Sequence, residues 1–341
     1  MLKQIKTLYI LTLILGVVAI SLIIVIVIPS TAAYTNYLSD KTLSPIFEVT
    51  TRYYIPEKLT QLPFDTTLLA KSALMKFGAG CPPEIAIYVH GFNKEITDAK
   101  EEFNRIQTSL NHNNYKIPLI GFSWNSKTDY PVAQNNAKDN GPKLAEFITQ
   151  FKRENNCPNT DIRLIAHSLG AAVVISTLVN LDNIESLLAN TNGNNSKLIK
   201  SIHLLGAAIN NTLIANNTLL GNAINTIVDK FYNLYNPEDD GLEYNKEFEK
   251  HNPLGLFGAM NVTAPLNYKD TNVAYEILPF SDADGNGNVE ECFENIKLVN
   301  WWGDNHCGYI GFRNSTTGEF SDDGAMNVVV EDRRLEEFIN F

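Results

Sequence analysis

The chain has 341 residues, of which 44% are hydrophobic and 10% aromatic, so it can bury a large core and is not an intrinsically disordered protein. Its 38 acidic and 27 basic residues give a net charge of −11, and the basic residues form no block. The charge argues against a nucleic-acid partner, because nucleic-acid binding needs clustered cations. Four cysteines are too few for a disulfide scaffold, although they permit two disulfides outside the cell.

The amino-terminal segment is predicted to be a membrane anchor. Two lysines precede an apolar run over residues 7–28 that carries no charge. A helix that crosses a bilayer needs about 20 apolar residues, whereas the apolar part of a secretory signal has about 7–15. We therefore expect residues 1–33 to be an uncleaved transmembrane helix, with the lysines in the cytoplasm and the rest of the chain extracellular. Cleavage after Ala32 or Ala33, which would give a secreted protein, is the alternative.

The rest of the chain shows no repeat and no linker that would divide it. Residues 34–45 are predicted to be a short spacer, and residues 46–341 a single domain. Because this domain is expected outside the cell, its Asn-x-Ser/Thr sequons are candidate glycosylation sites, although an Asn-rich chain also produces such sequons by chance. The sequons are at Asn194, Asn210, Asn216, Asn261 and Asn314.

Short β-branched and aromatic runs alternate with helical patterns along this domain. Continuous apolar runs, as at residues 85–89 and 162–166, are typical of strands buried on both faces. The predicted strands cover residues 47–55, 85–89, 117–124, 162–166, 199–205, 231–235 and 296–302, and the predicted helices cover residues 142–155 and 171–180. This alternation indicates an α/β fold with a parallel sheet covered on both faces, in which ligands bind at the carboxyl ends of the strands.

A serine follows the strand at 162–166, at the turn into a helix. Ser168 lies in the sequence Ala-His-Ser-Leu-Gly, where the residues two before and two after it, Ala166 and Gly170, are small, as a sharp strand-to-helix elbow requires. The amino end of the helix would direct N–H groups at a developing oxyanion. The pattern predicts a nucleophilic serine, and the simpler alternative is that Ser168 only caps the helix.

Five segments together resemble the α/β-hydrolase superfamily, and within it a poorly characterised family of esterase- or lipase-like serine hydrolases with an amino-terminal membrane segment. The segments are YVHGF at 88–92, GFSW at 121–124, AHSLG at 166–170, LYNPEDDGL at 234–242 and GDNHCGY at 303–309. One departure is Ala166, where the usual Gly-x-Ser-x-Gly pattern begins with glycine. The resemblance implies the α/β-hydrolase fold, a mostly parallel sheet flanked by helices on both faces, over most of the domain.

The resemblance also implies an oxyanion hole and an order of catalytic residues. The oxyanion donors would be the N–H groups of Phe92 and Leu169. The order in the superfamily is serine, acid, histidine, and an acidic turn follows the strand at 231–235. Alignment of that turn favours Asp239 as the acid, with Asp240 the alternative and Glu238 a more distant third. A simple solvated turn would also account for these carboxylates.

Six histidines compete for the role of catalytic base. His306 comes after both the serine and the acidic turn and follows the last predicted strand, which is where the superfamily places its histidine. The other five are expected in the oxyanion loop, on the far side of the serine elbow, inside a strand, and in two polar loops. In that order they are His90, His167, His203, His112 and His251.

These residues predict covalent acyl transfer. His306 would take the proton of Ser168 as the serine attacks a carbonyl, and water would then hydrolyse the acyl-enzyme. No cofactor is expected for catalysis. The expected substrate is a small-molecule or lipid carboxylic ester, ahead of a thioester or an amide. The rival function is that of a non-catalytic cell-surface binding protein, since a fold alone does not establish an activity.

An acidic loop at residues 282–294 resembles the first half of an EF-hand calcium loop. Oxygen-bearing side chains occupy its positions 1, 3 and 5, and Gly287 stands at position 6, where such a loop turns. Position 12 is Phe293 instead of the usual glutamate, so a neighbouring glutamate would have to replace it. We expect a structural Ca²⁺ here, and an empty acidic turn is the alternative. The ligands would come from Asp282, Asp284, Asn286, Asn288, Glu290 and Glu291.

Both pairs of cysteines are predicted to form disulfides. Cys81 and Cys157 each lie a few residues before a buried strand, and the two strands are neighbours in the strand order that the resemblance implies. These cysteines would then meet at the non-catalytic edge of the sheet, within the roughly 4.4–6.8 Å between Cα atoms that a disulfide allows. Cys292 and Cys307 would tie the acidic loop to the turn that carries His306.

Overall fold

The apolar runs of the sequence form one parallel β-sheet. The computed structural model describes residues 44–52, 54–55, 60–61, 66–78, 80–154, 157–192, 197–277, 306–313 and 320–339. In this part of the chain the sheet consists of β1 (Ile46–Thr50), β2 (Glu84–Val89), β3 (Leu119–Ser123), β4 (Asp161–His167), β5 (Ile199–Leu205), β6 (Val228–Tyr235) and β7 (Tyr268–Asn272). The strand order is β1-β3-β2-β4-β5-β6-β7, and every pair of neighbours is parallel.

Helices connect the strands, as parallel pairing requires. Those in the described residues are α1 (Thr66–Lys76), α2 (Ile96–His112), α3 (Tyr130–Thr149), α4 (Gly170–Asn192), α5 (Leu219–Ile227), α6 (Asp240–Glu249), α7 (Leu254–Phe257) and α8 (Met326–Ile339). A π-helical turn, Gln150–Glu154, extends α3. Two short antiparallel pairs, Tyr54–Ile55 with Thr60–Gln61 and Phe312–Arg313 with Phe320–Asp322, are separate from the sheet.

The sheet is covered on both faces. Because side chains alternate along a strand, β2 directs Ile85, Ile87 and Val89 to one face and Ala86 and Tyr88 to the other. The first face packs against apolar residues of α1, α3, α4 and α5. The second face packs against α2 and α8. Burial on both faces explains why the central strands are unbroken apolar runs, which would alternate with polar residues if one face met water.

Helix α3 begins earlier than predicted. We expected it to cover residues 142–155, where apolar residues fall at helical spacing. A proline inside a helix destabilises it. In the structure α3 begins after the N-cap Asp129, has Pro131 in its first turn, and carries Pro142 inside. The adjacent Gly141 lies so close to α4 that an added Cβ would be 2.3 Å from one of its side chains. Packing against α4 therefore stabilises a helix that Pro142 would otherwise interrupt.

Other elements also differ from those predicted. The strand predicted over residues 47–55 ends at Thr50, and α4 extends beyond residue 180 to Asn192. Strand β7 was not predicted because it is a polar edge strand, YKDTN, without an apolar run. Helices α1, α2, α5, α6, α7 and α8 were also missed. Strand β5 has the predicted bounds, residues 199–205.

The predicted disulfide between Cys81 and Cys157 is present, with 5.4 Å between the two Cα atoms. It joins the segments that lead into β2 and β4, which are hydrogen-bonded neighbours in the sheet. The disulfide therefore lies at the amino ends of these strands, away from the edge where ligands bind to such sheets. Cys307 is also disulfide-bonded. Its predicted partner, Cys292, lies outside the described residues.

Several predictions concern residues that the structure does not describe. These are the membrane anchor at 1–33, most of the spacer, the acidic loop at 282–294, the strand at 296–302, and the sequons at Asn194 and Asn314. Among the residues that are described, no helix combines the length and the apolar character needed to cross a bilayer. The same residues contain no cluster of three or more His, Cys, Asp or Glu side chains suited to a metal ion.

Candidate active site

The turn after β4 holds Ser168 in a conformation that few side-chain-bearing residues adopt. Its φ is +53°, in the left-handed region, which costs about 1–2 kcal/mol for a residue other than glycine. Two backbone hydrogen bonds hold the turn: the Ser168 N–H donates to the carbonyl of Leu205 (3.0 Å), and the Ser168 carbonyl accepts from Ala208 (3.2 Å). The elbow is therefore fixed by the neighbouring end of β5.

Two glycines, Gly91 and Gly170, allow the serine turn and the end of β2 to lie close together. A Cβ added to Gly170 would lie 2.5 Å from the carbonyl oxygen of Val89, at the end of β2. A Cβ added to Gly91 would lie 2.9 Å from Cβ of Ser168. Both positions exclude any larger side chain without a shift of backbone. The small residue that the sequence pattern required after the serine thus has a direct steric cause.

The structure brings Ser168, His306 and Asp239 together in one hydrogen-bonded chain. Nε2 of His306 lies 2.8 Å from Oγ of Ser168, and its Nδ1 lies 2.9 and 3.0 Å from the two carboxylate oxygens of Asp239. All three are buried, with 6%, 5% and 0% of their surfaces exposed, respectively. A carboxylate can only accept, so Nδ1 carries the proton and Nε2 is free to accept the serine proton.

Asp239 is the carboxylate at this site, and it has a second role. It is the N-cap of α6, where Oδ1 accepts the N–H of Leu242 at 2.9 Å. Oδ2 accepts the hydroxyl of Tyr309 at 3.2 Å. Burial, together with Asp239, raises the pKa of Tyr309 well above its usual value, so the hydroxyl stays a donor. Asp240, the alternative acid, is the first residue of α6.

Tyr309 was not singled out from the sequence. It lies three residues after His306, within the segment GDNHCGY, in a 3₁₀ turn that runs from Gly308 to Ile310. The side chain is fully buried. Its position beside a histidine motif was the available signal, but tyrosines are common in such buried turns. Only the fold shows that its hydroxyl reaches the acid.

The loop after β2 presents the proposed oxyanion donor of Phe92. Nδ1 of His90 lies 2.9 Å from the carbonyl oxygen of Gly91, and Nε2 of the same ring accepts the N–H of Trp124 at 3.1 Å. Burial, reinforced by Arg52, lowers the pKa of His90 to about 3, so the ring is neutral and Nδ1 donates. In a planar trans peptide the carbonyl and the next N–H point in opposite directions. His90 therefore orients the Phe92 N–H away from its own ring.

The second proposed donor, the N–H of Leu169, belongs to the start of α4. The first N–H groups of a helix have no partner within the helix, and they carry partial positive charge. Leu169 directly follows the serine and precedes Gly170, where α4 begins. The N–H groups of Phe92 and Leu169 thus come from the two loops that meet at Ser168.

His167 supports the site without reaching the serine oxygen. Its Nε2 lies 2.6 Å from the backbone carbonyl of His306, and the centroids of the two imidazole rings are 4.9 Å apart. Burial, followed by the effect of His306, lowers the pKa of His167 to about 4. The neutral ring donates from Nε2 and so fixes the turn that carries His306. The sequence offered no signal for this contact, which joins residues 139 positions apart.

The remaining histidines lie away from the reacting atoms. His203 is buried in β5, stacks on Tyr232 with 4.6 Å between ring centroids, and is the core histidine that was expected. His112 is the last residue of α2, where a polar loop had been predicted, and His251 lies between α6 and α7. The predicted metal ligands all fall outside the described residues.

A model of the family described as "Alpha/beta hydrolase of unknown function (DUF900)" matches residues 76–220. This range includes β2 to β5, the oxyanion loop and the serine elbow. The parallel sheet, the two layers of helices and the elbow agree with that description. The fold is that of an α/β-hydrolase.

Three solved structures each match part of this chain. A cutinase of Trichoderma reesei, in complex with a C11Y4 phosphonate inhibitor, has 19% identity over 48% of this chain and 70% of its own, with a TM-score of 0.27. The esterase PE8 has 12% identity over 57% of this chain and 85% of its own, with a TM-score of 0.31. The phospholipase PlaB of Legionella pneumophila has 14% identity over 47% and 39%, with a TM-score of 0.29. Values this low carry no information about the substrate. Among proteins with curated functions, none matches this sequence.

Proposed function

We propose that the protein is a serine hydrolase that cleaves a carboxylic ester through an acyl-enzyme. The observation that carries this proposal is the continuous chain from Ser168 Oγ through both ring nitrogens of His306 to Asp239, at 2.8 and 2.9 Å. It ends on a serine that is held at a φ of +53°. A helix cap would need none of this geometry, since an N-cap residue normally has an extended backbone.

In the first half-reaction the serine becomes acylated. Nε2 of His306 takes the proton from Ser168 Oγ while Oγ forms a bond to the carbonyl carbon of the ester. The carbonyl oxygen becomes an oxyanion, which the N–H groups of Phe92 and Leu169 stabilise. His306 then gives the proton to the leaving alkoxy oxygen, the C–O bond breaks, and the alcohol departs. Asp239 holds the ring in the required tautomer and stabilises its charged form throughout.

In the second half-reaction water replaces the alcohol. His306 takes a proton from water, the hydroxide attacks the acyl carbon, and the oxyanion forms again in the same hole. Collapse of this intermediate breaks the bond to Ser168 Oγ, which recovers its proton from His306, and the carboxylic acid leaves. Each proton thus moves through Nε2, and the protein ends unchanged. The same residues could act on a thioester or an amide, but an ester is our first choice of substrate.

A reactive phosphonate distinguishes this hydrolase from a non-catalytic binding protein with the same fold. A fluorophosphonate probe should label the full chain once, at Ser168, and the Ser168→Ala variant should keep its fold but lose both labelling and hydrolysis of p-nitrophenyl acetate. The matched control is Ser176→Ala, because Ser176 lies on α4 and its Oγ donates to the carbonyl of Lys138. Undiminished labelling or turnover in Ser168→Ala would sink the mechanism.

Two further parts of the proposal concern residues outside the described ranges. We propose that residues 1–33 anchor the protein in a membrane with the hydrolase domain outside the cell, or are removed to release it. We also propose that the loop at 282–294 binds a structural Ca²⁺, for which its regularly spaced oxygen-bearing side chains are suited. The mass of the mature protein tests the first point, and the change of melting temperature with a chelator tests the second.

A further inference from the structure

Helix α6 runs beside the reacting atoms from the histidine towards the oxyanion loop. Its first turn touches the ring of His306, since a Cβ added to Gly241 would lie 2.9 Å from Cγ of that ring. Its last turn carries Phe248, whose ring meets the edge of Tyr130 at 6.1 Å between centroids. Tyr130 in turn meets Phe92, the oxyanion residue, at 5.0 Å. The helix therefore spans the site from the base to the oxyanion loop.

One face of α6 is turned to this side of the site. Gly241, Tyr244, Asn245 and Phe248 follow one another at steps of three, one and three, so they share a stripe on the helix. Nδ2 of Asn245 donates to the hydroxyl of Tyr130 at 2.5 Å, which fixes that ring. The opposite face, with Leu242 and Lys246, packs towards Phe257 of α7. We call the first stripe, together with Tyr130, the aromatic wall.

The aromatic wall has two large aromatic side chains that are open to solvent. Phe248 and Tyr244 are each 55% exposed, whereas Leu242, on the other side of α6, is 1% exposed. An exposed aromatic surface gains free energy when an apolar group covers it. Its continuity with the ring of Phe92, whose N–H would bind the substrate oxygen, puts the wall within reach of whatever is attached to the reacting carbonyl.

The direction of the helix identifies which part of an ester reaches the wall. The leaving oxygen must lie at His306, which protonates it, and glycine at residue 241 lets the ring of His306 pack directly on this end of the helix. Tyr244 lies about 4.5 Å along the helix axis from Gly241, and Phe248, in the last turn of α6, lies about 10 Å from it. A group that extends from the carbonyl towards Phe92 and Phe248 is on the side away from the leaving group, which is the acyl side.

We propose that the aromatic wall binds the hydrocarbon chain of an acyl group longer than acetyl. This inference rests on the proposed ester hydrolysis at Ser168, and it names the substrate class of that site as esters of aliphatic carboxylic acids. Acetyl ends one carbon beyond the carbonyl, whereas Phe248 lies about two helical turns beyond Gly241, the residue of α6 that contacts His306. Each methylene that the wall covers can raise kcat/KM by up to about fourfold, the equivalent of about 0.8 kcal/mol.

A chain-length series tests the proposal. The full chain is assayed with p-nitrophenyl acetate, butyrate and octanoate below their micelle concentrations, and kcat/KM should rise along the series. In Phe248→Ala the ratio of octanoate to acetate should fall about tenfold or more, while kcat/KM for acetate stays within about twofold. Phe248→Leu should keep most of the ratio, because it keeps an apolar side chain. The control is Met75→Ala, an exposed methionine of α1 with 58% of its surface accessible, which should change neither value.

Each other result overturns a defined part of the argument. Equal losses for acetate and octanoate in Phe248→Ala, or a wild-type rate that does not depend on acyl length, would overturn the acyl site and leave the ester hydrolase intact. A second series with constant acetyl and longer alcohols should be unaffected by Phe248→Ala. If only that series responds, the wall binds the alcohol instead. A lack of Ser168-dependent hydrolysis of all three esters would overturn the proposed function and, with it, the acyl site.

Discussion

Replacing Asp239 by asparagine separates the shape of the acid from its charge. Asparagine caps helices about as well as aspartate, so the start of α6 should be preserved. Oδ1 of Asp239 receives the N–H of Leu242 at 2.9 Å, and this position must stay an oxygen. The amide nitrogen then occupies the position of Oδ2, which lies 2.9 Å from Nδ1 of His306. A donor would replace the nearer of the two oxygens that face Nδ1, and the remaining oxygen, Oδ1 at 3.0 Å, is shared with the N–H of Leu242.

The consequence appears at the serine. Facing an amide donor, Nδ1 of His306 becomes an acceptor and the ring proton moves to Nε2, which lies 2.8 Å from Ser168 Oγ. A protonated Nε2 cannot accept the proton of the serine. The same inversion of tautomer in a serine protease lowers kcat about 10⁴-fold, or about 5.5 kcal/mol in activation free energy. We expect Asp239→Asn to lower kcat/KM by about 10³–10⁴-fold with little change in stability.

The assay is hydrolysis of p-nitrophenyl acetate, with the melting temperature of each variant measured alongside. Asp240→Asn is the matched control, because it changes the neighbouring carboxylate at the first position of α6 and should alter kcat/KM by no more than about threefold. The reasoning is refuted if Asp239→Asn is folded and keeps more than a tenth of the activity. It is also refuted if Asp240→Asn shows the larger loss of kcat/KM. The carboxylate that is hydrogen-bonded to His306 would then not be the catalytic acid.

Two further predictions concern stability. The disulfide between Cys81 and Cys157 closes a loop over a sequence separation of 76. By the chain-entropy model, replacing both cysteines with serine should lower the free energy of unfolding by about 4.5 kcal/mol. Denaturant unfolding under oxidising conditions measures this loss, and an unchanged midpoint would contradict the prediction. Burial and His306 lower the pKa of His167 in the folded protein to about 4. Between about pH 6.5 and 4, His167 is therefore protonated in the unfolded chain but neutral in the folded protein. The stabilising effect is therefore complete above pH 6.5 and is lost as the pH falls to 4, by about 3 kcal/mol. His167→Gln should show a shallower decline of unfolding free energy over that window, and an identical slope would argue against a neutral buried ring.

The sequence by itself predicted the features that depend on residues close together in the chain. The central strands are continuous apolar runs, and Ser168 could be singled out because the elbow needs small residues on both sides of it, a requirement that Gly170 meets through its contact with β2. The order of motifs along the chain also selected Asp239 and His306 as candidates, and the structure brings both to Ser168. What these residues do is still the subject of the proposal.

The tertiary structure decided whatever depends on residues far apart in the chain. It extended α3 through Pro142, because packing against α4 outweighs the local penalty of a proline. It placed the carboxylate of Asp239 against His306 and made Asp240 the first residue of α6, although the two are one peptide step apart.

The side-chain contacts around the site also depend on residues far apart in the chain. The hydroxyl of Tyr309 on Asp239, the ring of His167 on the carbonyl of His306, and the line of rings from Phe92 to Phe248 leave no pattern in the sequence. Each joins side chains from different elements, and their geometry is set by how the sheet and helices pack. A linear pattern records which face of a helix or strand is apolar, but the partner on the other side of a contact is fixed only when the chain has folded.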